Sequence, residues 1–276
     1  MKPKGFDYLR ADSVAEATEA LAQGGEDARL IAGGMSLVPM LNFRLVEPSI
    51  LIDISKIKDR KYIQEKNGMI EIGSATRQCE LEKWDQVESK LPLLAKALPV
   101  LGHYQTRARG TICGSLVHAD PSSELPLCLA TLGGEVVLSS TKGERVVKAE
   151  EFQTGMLSVS KQSNEMVVAA RYPIAQGETG YAFREMSQRH GDYAIVALAA
   201  VVTKNKIKLG VGGVADKPTV REWDHLDGTD LDDALNAFAW DLGGYDDIHA
   251  TARYRRELVR RLGKKTIEEA KNASVR

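Results

Sequence analysis

Cysteine is scarce in this chain: three residues, at 79, 113 and 128, with no Cys-x-x-Cys pair and no fourth partner. Neither a disulfide framework nor a cysteine-ligated iron–sulfur cluster is encoded, so any such cluster belongs to another chain. The five histidines, at 103, 118, 190, 225 and 249, show no His-x-x-x-His or similar spacing, which argues against a protein-bound metal. Charge of either sign is not in excess. With 37 basic and 38 acidic residues and a formal net charge of −1, no global field favours nucleic acid. No apolar run approaches the roughly 18 residues of a membrane-spanning helix. None follows the basic start Met1-Lys2-Pro3-Lys4 either, so no secretory signal is expected and the chain reads as cytoplasmic. No Ser/His/Asp or Cys/His arrangement has a nucleophile's context, and no catalytic residue is assigned.

What the chain does have is two segments rich in small residues. The first is Ile31-Ala32-Gly33-Gly34-Met35-Ser36-Leu37-Val38-Pro39, and the second Gly110-Thr111-Ile112-Cys113-Gly114-Ser115-Leu116-Val117-His118-Ala119-Asp120-Pro121. Both read as loops whose backbone N–H groups can approach a phosphate with no Cβ in the way, and a pair suggests a diphosphate held from two sides. The first lies between two apolar strands, 28–32 and 49–54. It therefore reads as strand–loop–strand rather than the Gly-x-Gly-x-x-Gly strand-to-helix turn of a Rossmann unit. The Gly-Lys-Ser/Thr of a triphosphate loop is also missing.

Around these segments, Ser13-Val14-Ala15-Glu16 is a capping box opening a helix that Gly24-Gly25 closes. Asn67-Gly68 joins two alternating runs into a hairpin. Residues 80–84, 93–101 and 122–132 read as helical, and 135–138, 145–148 and 166–171 as strands. The polar, Gly-containing stretch Ala175–Gly180 reads as a boundary, followed by a strand over 194–203, a partner over 206–211 and two terminal helices. In the last of these, the basic run Arg253–Leu262 reads as a solvated helix face.

Taken together, these residues resemble the FAD-binding subunits of molybdenum hydroxylases, the carbon monoxide dehydrogenase medium-chain and xanthine dehydrogenase FAD-domain family. Ala32-Gly33-Gly34-Met35-Ser36-Leu37 is similar to that family's first flavin loop, and Arg109 to Pro126 to its second throughout. Glu151–Gly155, Phe183–Ile195 and Tyr254-Arg255-Arg256 continue the likeness. The resemblance implies an α+β chain: a two-subdomain FAD-binding fold of the vanillyl-alcohol-oxidase/PCMH type plus a C-terminal antiparallel sheet-and-helix domain. The expected divisions are 1–57, 58–176 and 177–276. It also implies FAD on this chain, with [2Fe–2S] clusters on a small partner subunit and the molybdopterin cofactor on a large one, as a dimer of heterotrimers. Electrons would come from the iron–sulfur partner and leave to an external acceptor, and substrate hydroxylation would belong to the large subunit. Two other readings stay open: a stand-alone FAD-dependent oxidoreductase and a nucleotide-holding assembly module.

By this resemblance, Ala32, Gly33, Gly34, Met35, Ser36 and Leu37 face one side of the diphosphate, and Thr111, Ile112, Cys113, Gly114 and Ser115 the other. Each charge-assisted bond is worth about 1.5 to 3 kcal/mol. Arg29 and Arg109 stand just outside and compensate charge. His118 is expected near the diphosphate, and Asp120 and Glu124 at ribitol or ribose hydroxyls, although Asp120–Glu124 also reads as a helix cap with an acidic first turn. Tyr193 is expected to shield the isoalloxazine and Arg184 to supply a cation to it; a surface hairpin with ordinary charges is the other reading. Met35 and Cys113 depart from the family pattern, which has His or Thr and Gly there. A Cβ at 113 requires a negative φ or free space.

Overall fold

In the computed structural model, which describes residues 2–274, the Ser13 hydroxyl accepts the Glu16 N–H at 3.1 Å while the Glu16 carboxylate accepts the Asp12 N–H at 2.7 Å. The predicted cap is present, with its return arm shifted by one residue. It opens α1 (Val14–Gly24), which Gly25 ends at φ 56°. Strands β1 (Asp7–Arg10), β2 (Ala28–Ile31) and β3 (Ile50–Asp53) make a small parallel sheet in the order β1-β3-β2. Between β2 and β3 lies a short helix, α2 (Leu37–Asn42), where the sequence predicts only loop. Its Pro39 falls in the first turn, where a missing N–H costs nothing.

A five-stranded antiparallel sheet follows, built from β4 (Ile63–Lys66), β5 (Met69–Gly73), β6 (Glu135–Ser140), β7 (Gly143–Lys148) and β10 (Met166–Pro173) in the order β4-β5-β10-β6-β7; β8 (Gln153–Gly155) and β9 (Ser158–Val159) form a separate two-stranded ribbon. Asn67 and Gly68 sit at φ 54° and 74°, the positive-φ pair of the predicted hairpin turn. Helices α3 (Gln78–Glu82), α4 (Val87–Lys90), α5 (Pro92–Ala97) and α6 (Tyr104–Arg107) lead to α7 (Ile112–His118) and α8 (Glu124–Leu132), and the single turn α9 (Ala149–Phe152) follows β7.

Helix α7 corrects the expectation of a loop over 110–121. Thr, Cys, Gly and Ser are weak helix formers, but Ile112, Cys113 and Leu116 pack into the core, and tertiary burial outweighs propensity. The Thr111 hydroxyl caps the helix by accepting the Gly114 N–H at 3.0 Å, and Ala119 ends it in the left-handed region at φ 54°.

The third sheet is antiparallel and meanders in chain order: β11 (Gly180–Met186), β12 (Val196–Val202), β13 (Lys206–Gly212) and β14 (Thr219–Asp224). Helices α10 (Gly228–Asp241) and α11 (Ala252–Ser274) cover its outer face. The whole chain is α+β and layered. The parallel sheet and α1 pack on one face of the five-stranded sheet through Ala17, Leu21, Ile52 and Met166. Helices α5, α7 and α8 cover the other face, and the third sheet lies beyond them. Gly210 lets α8 approach β13 closely, since a Cβ there would lie 2.0 Å from the Thr131 hydroxyl.

One expectation about α11 is corrected. Arg255 is only 2% exposed and donates to the carbonyls of Ile195 and Gly213 at 2.6 and 2.7 Å and to Asp247 at 2.6 Å. Its guanidinium also lies 4.3 Å from the Tyr245 ring centroid. The helix face is solvated around it, but Arg255 itself pins α11 to the ends of β12 and β13.

Candidate functional site

The two small-residue segments touch. A Cβ on Gly33 would lie 2.1 Å from the Arg109 carbonyl oxygen, so only glycine lets the first loop pass the second. Beside this contact opens a cleft of about 750 Å³, within the range of cofactor sites. Ala32, Gly33, Gly34, Met35, Ser36 and Leu37 line one side, and Thr111, Cys113, Gly114, Ser115 and His118 the other; Glu124 and Tyr193 are also on its wall. Thirteen of the sixteen residues expected from the sequence thus converge on one space.

Three do not. Ile112 is fully buried in the core, and its N–H donates to the Thr76 carbonyl at 3.3 Å. Asp120 does not line the cleft; its carboxylate accepts the Ser122 N–H at 2.8 Å, an Asx turn leading into α8. Arg184 lies on the opposite side of β11, paired with Glu269 at 2.7 Å. The reason is strand parity: Tyr181 and Phe183 face the core shared with α5 and α8, whereas Ala182 faces the core under α10 and α11. Arg184 follows Ala182, and Glu185 takes the inner side.

The cleft presents donors without acceptors. Among the described residues, the N–H groups of Gly33, Gly34, Met35 and Ser36 find no acceptor, nor do those of Thr111 and Cys113. The N–H groups of Gly114 and Ser115 are spent on the Thr111 hydroxyl and carbonyl at 3.0 and 3.3 Å. Gly34 holds a φ of 74°, which turns the first loop. Two cations line the cleft: Arg29, held to the carbonyls of Glu26 and Ala28 at 2.6 and 2.9 Å, and Lys161, held to the Gln162 carbonyl at 2.7 Å. Arg109 lends backbone rather than charge. Lys161 went unrecognised in the sequence because it belongs to no motif; so did Ser74 and Gln78, in the segment Ser74-Ala75-Thr76-Arg77-Gln78 directly after β5. Ser74 Oγ and Gln78 Oε1 line the cleft, are buried and have no partner.

Cys113 is 2% exposed, and its Sγ lies 3.8 Å from the Ile72 carbonyl. Burial pushes its thiol up to about 12, which leaves it protonated and inert. Its helical backbone answers the φ requirement set by its Cβ. Burial holds the His118 imidazole below its ordinary range, so it stays neutral near pH 7. Glu124 is 7% exposed. Burial, with the Asp120 charge adding to it, raises its carboxyl to about 7. Tyr193 stands 64% exposed at the cleft, carried by the β11–β12 loop. That loop is seated by Gly191, at φ 84°, where a Cβ would come within 2.7 Å of the His103 ring.

A bulky dianion with hydroxyl and ring polar groups fits this lining: free N–H groups on both walls, two cations, and orphaned oxygens able to accept from hydroxyls or ring nitrogens. FAD has that chemistry. Among the described residues no helix is long and apolar enough to cross a membrane, and no cluster of metal-ligating side chains occurs.

Comparison with known proteins agrees. Residues 4–175 match the family described as FAD binding domain in molybdopterin dehydrogenase, and residues 181–270 that described as CO dehydrogenase flavoprotein C-terminal domain. The chain is 38% identical to subunit alpha of the 6-hydroxypseudooxynicotine dehydrogenase complex of Paenarthrobacter nicotinovorans, across 98% of this chain and 96% of that one. It is 35% identical to the glyceraldehyde dehydrogenase medium chain of Sulfolobus acidocaldarius, across 98% and 99%. Its fold matches that of the reconstituted CO dehydrogenase from Oligotropha carboxidovorans with a TM-score of 0.95, at 30% identity over 99% of this chain and 100% of that one. The chain therefore belongs to the family of FAD-binding flavoprotein subunits of molybdenum hydroxylase complexes, and is an oxidoreductase subunit that carries FAD.

Proposed function

We propose that FAD lies in the cleft with its diphosphate between the free N–H groups of Gly33, Gly34, Met35 and Ser36 and those of Thr111 and Cys113. The observation that carries this reading is the set of unpaired donors on two loops that touch at Gly33. Arg29 and Lys161 offset the charge; Ser74, Gln78 and Glu124 accept from hydroxyl or ring donors; Tyr193 covers the open end. Bound FAD supplies the ability to accept and release electrons singly or in pairs. The chain's own part is to bind, orient and shield: neutral His118 and protonated Cys113 keep further charge off the second wall.

In this reading the electrons come from a small subunit bearing [2Fe–2S] clusters and leave to an external acceptor. Substrate oxidation takes place on a large molybdopterin subunit, the assembly being a dimer of such heterotrimers. We assign residues 1–57 and 58–176 to the two flavin-holding subdomains and 177–276 to the covering domain. Purification of the chain alone tests the reading. It is expected to be yellow and slow with all donors until the iron–sulfur partner is added. Rapid turnover of a small donor by the chain alone would favour the stand-alone oxidoreductase, and a colourless chain that binds no FAD would overturn the reading.

A further inference from the structure

Strand parity turns a second carboxylate, Glu185, to the inner side of β11, though it does not itself line the cleft. Glu185 pairs with Ala197 in the β11–β12 ladder and continues the inward row of Tyr181 and Phe183, toward α5 and α8. Its Oε2 is buried and has no partner. Glu124, the first residue of α8, is nine-tenths buried, lines the cleft, and accepts from no other side chain. Burial, with the charge of Glu124 adding to it, raises the Glu185 carboxyl. No cation is paired with either one among the described residues.

The other groups at this end do not neutralise them. Asp120 stands on the turn before α8, the neutral His118 ends α7, and Cys128, also protonated, lies one turn along α8. The β11–β12 loop contributes Tyr193 and Asp192, the latter already paired with Arg189 at 3.0 Å. Arg184 and Lys96 are directed to Glu269, at 2.7 and 3.9 Å. A buried carboxyl group and a half-buried one whose inner oxygen is orphaned, with no cation between them, cannot both ionise cheaply.

We propose that Glu185 is a proton-holding positioning residue: with Glu124 it keeps one proton at the acidic end of the cleft, and the pair binds a second from solvent when negative charge arrives beside it. This rests on the flavin reading above. Electrons delivered by the iron–sulfur partner, or by an electrode in its place, do not enter the pair; one hydronium O–H bond breaks in solvent and one carboxylate O–H bond forms. Burial raises the two carboxyls to about 7 and about 8, so the exchange falls near neutral pH.

Electrochemically induced infrared difference spectra of the flavin-loaded chain, in H2O and D2O, test the proposal alongside a titration of flavin potential against pH. On reduction, wild type is expected to gain a protonated-carboxyl C=O band that shifts in D2O, and its potential–pH plot to bend between about pH 7 and 8. Glu185→Gln is expected to lose both while keeping its flavin; Glu185→Asp restores the band at a shifted position. If Glu185→Gln does not fold, Glu124→Gln must abolish the same band. A flavin-loaded wild type without the band, or a Glu185→Gln variant that keeps band and bend unchanged, overturns the proposal. A colourless wild-type chain would instead overturn the flavin reading itself.

Discussion

At Gly33 a single missing methyl group decides whether two loops can meet. Gly33→Ala places a Cβ 2.1 Å from a backbone carbonyl that has no rotamer to escape into, so the loops must separate. Gly34→Ala meets only the Val38 and Ile31 side chains, at 3.1 Å and beyond, and its main cost is a φ of 74°, about 1 kcal/mol. Flavin absorbance of the purified variants is expected to show Gly33→Ala largely depleted and Gly34→Ala mostly loaded; the reverse order would contradict the loop contact. Cys113 makes a contrasting case. With its thiol buried and raised to about 12, it should resist thiol reagents in the native chain. Cys113→Ala should keep its flavin and lose about 1 kcal/mol in chemical denaturation. Arg184→Ala should leave the flavin potential unmoved, since its partner is the half-exposed Glu269, and should cost under about 1 kcal/mol.

Among the elements, the hairpin at Asn67-Gly68 and the capping box at Ser13 were legible because their signals are local: backbone conformations and hydrogen bonds within four residues. The two loops were legible as well, since small residues that let backbone come close are visible in composition. Helix α7 was not, because its stability comes from burying Ile112, Cys113 and Leu116 against strands distant in sequence. Arg184 was misplaced for another reason: a strand alternates its faces, and a resemblance that fixes a segment does not fix which parity faces inward. Arg255, read as part of a solvated face, is held by three partners that are distant in sequence or on a loop. Its removal should be the most damaging change in the C-terminal layer. Arg255→Leu leaves the Ile195 and Gly213 carbonyls and Asp247 without their donor, and denaturation should register about 2 to 4 kcal/mol.

Across the whole molecule, the layers meet at the cleft: the first loop comes from the parallel sheet, the second from α7, and Tyr193 from the third sheet. The electrostatics of that junction carry a sign. Glu124 and Glu185 have folded-state pKa values above the ordinary 4.5, so the folded state binds more protons than the unfolded one between about pH 4.5 and 8. Their contribution to stability is present below that window and is lost as pH rises through it. The Tm of Glu185→Gln should therefore fall less steeply than wild type between about pH 5 and 8; an equal slope would contradict the assignment.

The central claim is that FAD is held between the two touching loops. Its most direct test is titration of flavin-stripped chain with FAD, followed by fluorescence quenching, in wild type and in folded Gly34→Asp and Gly114→Asp variants. Each variant sets a carboxylate into the space assigned to the diphosphate or into the Thr111 cap that shapes its wall. The expected result is saturation of wild type at a single FAD per chain and no saturation in either variant. Full binding by both folded variants would contradict the account.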